Sequence, residues 1–217
     1  MSSQPTEDYI KGVYKLQKNG KSVSTSKLAE HLGLADASVT DMVKKLSAKK
    51  LLTHTPYRGV GLTEEGRRLA MKMMRRHRLW EMFLTKFLGY TWDAVHDEAE
   101  RLEHVTSDEM EHRLDKALGY PKLDPHGDPI PTADGVVHAQ ALTALSEVKE
   151  GDCVKVLRVS DDDAALLQHA ARLGLVLHQK LLIKEKLLFD GSMKVKIGKK
   201  EHFISRQLAD AIFVHAV

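Results

Sequence analysis

Six side chains in the middle of the sequence have the types and spacing of a cation site. His77 and Glu81 are four residues apart, and His96, Glu100 and His104 repeat at the same interval with Glu103 beside the last of them. On an α-helix an interval of four returns to the same face about one turn on. Imidazole nitrogens and carboxylate oxygens stacked in this way can share a divalent ion, and both donor types suit first-row metals. Thiolate chemistry is closed off, because the single cysteine, Cys153, can build neither an internal disulfide nor a sulfur site by itself. The plainer alternative is a solvated acidic face with incidental histidines, since the chain has 12 of them. His31, His54, His112, His138, His169, His178, His202 and His215 show no ligand spacing, and Met71, Met73 and Met74 read as apolar filler.

Two helices must carry that stripe. Apolar spacing predicts one helix over 63–86, holding His77 and Glu81, and a second over about 93–118, holding the other four. Charge divides the chain around them. Residues 1–78 hold 16 basic and 7 acidic side chains, 79–147 hold 5 and 14, and 148–217 hold 12 and 9, although the net charge is only +3. A basic head before an acidic, histidine-bearing middle suits phosphate at one end and cations in the centre. With 42% apolar and 29% charged residues the composition is that of a folded globular chain. No apolar run approaches the roughly 18 residues of a membrane span, and MSSQPTEDY lacks the features of a signal peptide. A cytoplasmic protein is expected, with no membrane partner.

The basic head has the pattern of a DNA reader. A helix is expected over 6–17, ended by Asn19-Gly20, followed by a β-prone stretch at 22–25. Ser26 is expected to cap a short second helix, KLAEHLGL, and Gly33-Leu34 turn the chain into a third, DASVTDMVKKLSAKK, with Val39, Met42, Val43 and Leu46 facing inward. Two short helices joined by a tight turn are a helix-turn-helix pattern. The outer face of the third helix offers Ala37, Ser38, Thr40, Asp41, Lys44 and Lys45. Small residues let a helix enter a major groove, hydroxyls meet phosphates or base edges, and lysines neutralise the backbone. LLTHTPYRGVGLTEEG then reads as two strands around Tyr57-Arg58-Gly59, a wing with Arg58 at its tip. The DNA-contacting set is therefore Ala37, Ser38, Thr40, Lys44, Lys45 and Arg58.

YRGVGLTEEGRRLA, RRHRLWEMFL, VHDEAERLEH and DPHGDPIP, in that order, resemble the diphtheria toxin repressor family of iron- and manganese-dependent regulators, and the resemblance begins at TEDYIKGVYKL. It implies a homodimer that binds palindromic double-stranded operators when loaded with metal and represses metal-uptake genes. It assigns a primary site to Asp8, Glu100, Glu103 and His104 and a secondary site to His77, Glu81 and His96. Aligning the last domain through GLVLH adds Asp161 to the secondary site, with Asp162 and Asp163 as its neighbours. Asp124 and His126 stand where some manganese-type members also place ligands, as alternative partners for Glu81 and Asp161. The iron-type pattern has methionine at position 8 and cysteine at position 100, and this chain has carboxylates at both. Hard oxygen in place of sulfur favours Mn(II), with Fe(II) as the second choice. Lys11 stands where short manganese-type members carry a further carboxylate, which argues against a closely spaced pair of ions and leaves Lys11 to pair with a local carboxylate.

Thr132 to Gln140 reads as a linker after the Pro-rich DPHGDPIP. From Val148 on, GDCVKVLRV, KLLIKEKLL, SMKVKIGKK and HFISRQ alternate apolar and polar residues, with turn residues at Gly151, Asp190-Gly191 and Gly198 and a helix at 163–173. The fold expected is mainly α with a small all-β domain: a winged helix-turn-helix over 1–72, a helical metal-binding and dimerisation domain over 73–131, a linker over 132–147, and an SH3-like (FeoA-like) barrel over 148–217. An enzyme is not expected. The rival reading is a metallohydrolase, but ERLEH lacks the leading histidine of H-x-x-E-H, and neither H-E-x-x-H nor G-x-S-x-G occurs. A further alternative keeps DNA binding and gives it a non-metal effector.

Overall fold

A computed structural model describes residues 3–17, 21–55, 58–138 and 140–217. They form two compact units, one of Met1–His77, Arg101–His112 and Pro131–Val137, the other of Arg78–Glu100, Arg113–Ile130 and His138–Val217.

In the first unit α1 (Gln4–Leu16), α2 (Thr25–Leu32) and α3 (Asp36–Ala48) precede a hairpin of β1 (Leu52–Thr55) and β2 (Gly59–Leu62). Tyr9, Ile10 and Val13 of α1, Leu28 and Ala29 of α2, and Val39, Val43 and Leu46 of α3 close over one apolar core. Ser24, not Ser26, caps α2, its hydroxyl accepting from the Lys27 amide. Either serine suits the motif, and Val23 decides, because its antiparallel bridge to Val60 holds the chain extended up to Ser24. Gly33 leaves α2 in the left-handed conformation at φ 65° and turns the chain into α3. Tyr57 of the expected wing tip and Asn19-Gly20 of the expected helix end lie outside the described residues, whereas Arg58 is described and exposed. At Gly66, in the first turns of α4 (Glu64–Leu88), an added Cβ would lie 2.0 Å from the Leu51 carbonyl oxygen, so a hydrogen there is what lets the helix seat against the hairpin.

The expected helix over 93–118 is two helices, α5 (Val95–Glu103) and α6 (Asp108–Leu118). The break comes from the hydroxyls between them. Thr106 Oγ1 turns back to the Leu102 carbonyl at 2.7 Å, and the Ser107 hydroxyl accepts from the Met110 amide, capping α6. Competition of this kind with backbone bonding is what makes such residues helix ends. Glu111 of α6 binds Arg75 and Arg76 of α4 at 3.0 and 2.9 Å, and Arg75 also donates to the Pro131 carbonyl.

The second unit centres on a six-stranded antiparallel sheet in the order β3 (Thr143–Ala144), β8 (Ile212–Ala216), β4 (Cys153–Val159), β5 (Lys180–Lys186), β6 (Met193–Ile197) and β7 (Lys200–Ile204). The alternation read in the sequence is that of its inner face: Val154, Val156 and Val159, Leu181 and Ile183, Met193 and Val195 are buried with Leu167 and Ala170 of α7 (Ala164–Leu173). HFISRQ does not stay extended throughout. Ser205 caps a short helix, α8 (Arg206–Asp210), that leads into β8.

Candidate metal centres and nucleic-acid interface

Three of the four residues of the expected primary site meet in the first unit. Asp8 stands on α1, Glu103 ends α5, and His104 follows it. His104 Nε2 lies 3.1 Å from Asp8 Oδ1 and 3.7 Å from Glu103 Oε1. Its other nitrogen, Nδ1, is 2.6 Å from an oxygen of Glu7, which is itself buried. A carboxylate on one ring nitrogen fixes the tautomer and turns the lone pair of the other outward, the arrangement that prepares a histidine to ligate. Nε2 is buried and makes no hydrogen bond, although Asp8 is near it in distance. Two acceptors facing each other at such a distance are stabilised by a cation between them. The residues present therefore fit a divalent ion, with an oxygen-rich donor set and one imidazole. Glu100, the fourth expected ligand, lies on α5 in the second unit and is partly exposed.

Glu103 has no solvent exposure, and each of its oxygens carries a nitrogen partner. Lys11 Nζ lies 2.6 Å from Oε1, and His77 Nδ1 lies 2.5 Å from Oε2. Lys11 therefore pairs with a carboxylate 92 residues away rather than a local one, and His77, expected in the secondary site, sits in the first unit on Glu103. The role of Glu7 is not visible in sequence. It reads as an ordinary first-turn acid, and only its place one residue before Asp8 hints at more.

The second unit gathers the rest. Glu81, His96 and Asp161 each present a ligand atom within 4.8 Å of the others, and so do Glu81, Asp124 and His126. His96 Nδ1 is 3.5 Å from Glu81 Oε1 and 3.8 Å from Asp161 Oδ2. The DPHGD loop owes its shape to Asp124, whose Oδ1 accepts the amides of both His126 and Asp128. Gly127 turns at φ +93° where a Cβ would meet the Leu157 carbonyl at 2.1 Å, and the Val159 amide donates to the His126 carbonyl, so the loop lies tight on β4. His126 Nε2 is taken by the Trp92 carbonyl, and its Nδ1 is buried without a hydrogen bond, 4.0 Å from Glu81 Oε2. Burial, reinforced by the Glu81 carboxylate, pushes the Asp124 carboxyl up to about 7 although Arg78 opposes the shift. Like-charged oxygens crowded away from water with an unbonded imidazole nitrogen are chemically suited to a cation.

On the head, Ala37, Ser38, Lys44 and Lys45 are exposed on α3 and Thr40 is partly so, while Val39, Val43 and Leu46 are buried on the opposite face. Lys44 makes only an exposed contact with Asp41, at 3.4 Å. The apolar face is thus spent on the core and the basic face is left to solvent. No helix among the described residues is long and apolar enough to cross a membrane.

Comparison with known proteins agrees with this division. The N-terminal DNA binding domain of the iron dependent repressors matches residues 1–60, their metal binding and dimerisation domain matches 63–132, and the FeoA domain matches 143–216. The chain is 40% identical to the diphtheria toxin repressor of Corynebacterium jeikeium over 67% of its own length and 60% of that protein's. It is 35% identical to the iron-dependent repressor IdeR of Mycobacterium leprae over 70% of its own length and 69% of that protein's. The matched stretch thus spans somewhat over half of the Corynebacterium repressor. Among solved structures, a manganese-dependent transcriptional repressor in complex with manganese superposes with a TM-score of 0.90 at 39% identity, covering 98% of this chain and 100% of that one. Two expectations, the winged head and the helical domain followed by a β domain, are met in these matches, and the chain belongs to the iron-dependent repressor family typified by the diphtheria toxin repressor.

Proposed function

We propose that the chain is a metal-activated transcriptional repressor, a homodimer that binds palindromic operator DNA when loaded with Mn(II), or less favourably Fe(II), and shuts off metal-uptake genes. The observation that carries this reading is His104, with Glu7 on Nδ1 and with Nε2 buried, unbonded and facing Asp8. Asp8, Glu103 and His104 would hold the regulatory ion. Glu81, His96 and Asp161 would hold a second ion, with Asp124 and His126 as further donors. Carboxylates at 8 and 100 in place of sulfur support Mn(II), and so does the superposition on a manganese-dependent repressor.

A bound ion supplies charge neutralisation and a rigid coordination geometry. Asp8 brings α1, the first helix of the DNA-binding head, to the residues that follow α5. Glu7 keeps the His104 ring in one tautomer. Lys44, Lys45 and Arg58 would meet phosphates while Ala37, Ser38 and Thr40 approach the groove floor. Exposed apolar side chains at Val105 and Met110 in the first unit, and at Phe87 and Leu88 in the second, offer surface for a second copy.

DNA selected from a random duplex pool in the presence of Mn(II), then titrated with and without chelator, tests the reading. Binding that persists unchanged after removal of the metal would favour a non-metal effector.

A further inference from the structure

The outer face of the six-stranded sheet carries a charge arrangement that its packing does not require. Val154 of β4 and Leu181 of β5 are paired in the register and buried, so their neighbours Lys155 and Lys180, also directly paired, point to the opposite face. His215 of β8 stands opposite Lys155 on its other side. Lys180 and His215 are exposed and Lys155 is half-buried. The three form one row across β8, β4 and β5, in steps of the roughly 5 Å that separates neighbouring strands. Like charges set directly opposite each other destabilise a sheet, and among the described residues no carboxylate pairs with either lysine. Charge is concentrated on this side of the domain. Residues 180–206 hold 8 basic and 3 acidic side chains, whereas the rest of 148–217 holds 4 and 6. Of those three acids, Glu201 is already engaged by Lys194 at 2.9 Å.

We propose that this row is a second DNA contact: Lys155, Lys180 and His215 hold the phosphate backbone of the duplex that the head reads. The inference rests on DNA binding by the head and deepens it by adding a contact from the C-terminal sheet. A linear polyanion fits a row of cations, and contacts to its backbone need no particular base sequence. Duplex DNA is favoured over other polyanions because the head already holds it, which raises its effective concentration at any other basic surface of the same chain. An anionic lipid surface would call for apolar side chains within the patch, and the row has none. The repulsion between Lys155 and Lys180 costs stability in the free protein and is relieved when phosphates lie over them.

Cys153 makes the test direct. It is an exposed free thiol two residues before Lys155 on β4, and so on the same face. A photo-crosslinker attached to it reports what covers the row. In the full chain loaded with Mn(II) and bound to the selected duplex extended by about one helical turn at each end, irradiation should join Cys153 to DNA. The double variant Lys155→Gln, Lys180→Gln should lose that adduct, bind specific and non-specific duplexes more weakly alike, and show a salt slope lower by about two units. Without DNA it should melt at a higher temperature than the wild type, because the opposed charges are gone; weaker binding with greater stability is not what a merely structural role would give. An adduct with a second copy of the chain, no adduct at all, or an unchanged salt slope would overturn the proposal. Should the double variant fail to fold, the wild-type adduct alone decides. Absence of any duplex binding by the wild type with Mn(II) would instead overturn the function proposed above, and this inference with it.

Discussion

His104 and its two carboxylate neighbours concentrate the chemistry of the first unit. Asp8 is a direct donor in the proposed centre and is partly exposed, so Asp8→Ala should leave a folded protein whose DNA binding no longer responds to Mn(II) in an anisotropy titration. Glu7 acts one step back. Removing an orienting partner of this kind typically costs about 10 to 100-fold in metal affinity, and Glu7→Gln should show a loss in that range by calorimetry with its circular dichroism unchanged. Glu103→Ala is a different case from Asp8→Ala, because it breaks the buried ion pair with the Lys11 ammonium. Breaking one side of a buried ion pair costs about 3 to 5 kcal/mol, so this variant should lose stability in urea as well as metal response. Most of the candidate ligands were legible from spacing and resemblance. The partners of Glu103 and His104 were not, since they join residues 92 and 97 apart in the chain, a relation no local pattern records.

Asp124 adds a pH signature in the second unit. Its folded carboxyl is held up to about 7, above the ordinary value of 3.8, chiefly by burial. Over that interval the folded state keeps a proton that the unfolded state has released. Its contribution is therefore fully present below the unfolded value and is lost as pH rises through the folded one. Chelated wild-type protein should lose stability relative to Asp124→Asn as the pH is raised across this window, read from urea midpoints. A parallel dependence in the two proteins would contradict the assignment.

At the scale of elements, strongly periodic segments were legible and their ends were not. The core positions of α3 follow from the spacing of Val39, Val43 and Leu46, and the inner face of the sheet follows from alternation in β4 and β5. The boundaries went to side chains that bond their own backbone. Ser24 took the cap expected of Ser26, and Ser107 with Thr106 divided a stretch that reads as one helix. A helix cap of this kind contributes about 1 kcal/mol, so Ser24→Ala should lower stability by that order while Ser26→Ala should be close to neutral in chemical denaturation. The break after Glu103 also has a functional consequence. It places His104 at a helix end, outside the regular ladder, where its ring meets Glu7 and Asp8 of α1.

For the whole molecule, the division of charge seen in the sequence sets a basic head, suited to a phosphate backbone, apart from an acidic, imidazole-bearing middle, suited to cations. Allosteric coupling between such sites is typically about 1 to 3 kcal/mol, or about 5 to 150-fold in affinity, and is reciprocal, so operator DNA should tighten Mn(II) binding by the factor that Mn(II) tightens operator binding. Lys44 belongs to the non-specific part of that contact. Lys44→Ala should weaken binding to all sequences alike and reduce the salt slope by about one unit, and a loss confined to one base position would mark it as a reader of bases. The central claim, that a divalent ion on Asp8 and His104 controls the head, is tested most directly by one fluorescence anisotropy titration of the selected duplex with wild-type protein and Asp8→Ala, each with Mn(II) and with chelator. The account predicts tight binding only for the wild type with Mn(II); equal affinity in all four conditions would contradict it.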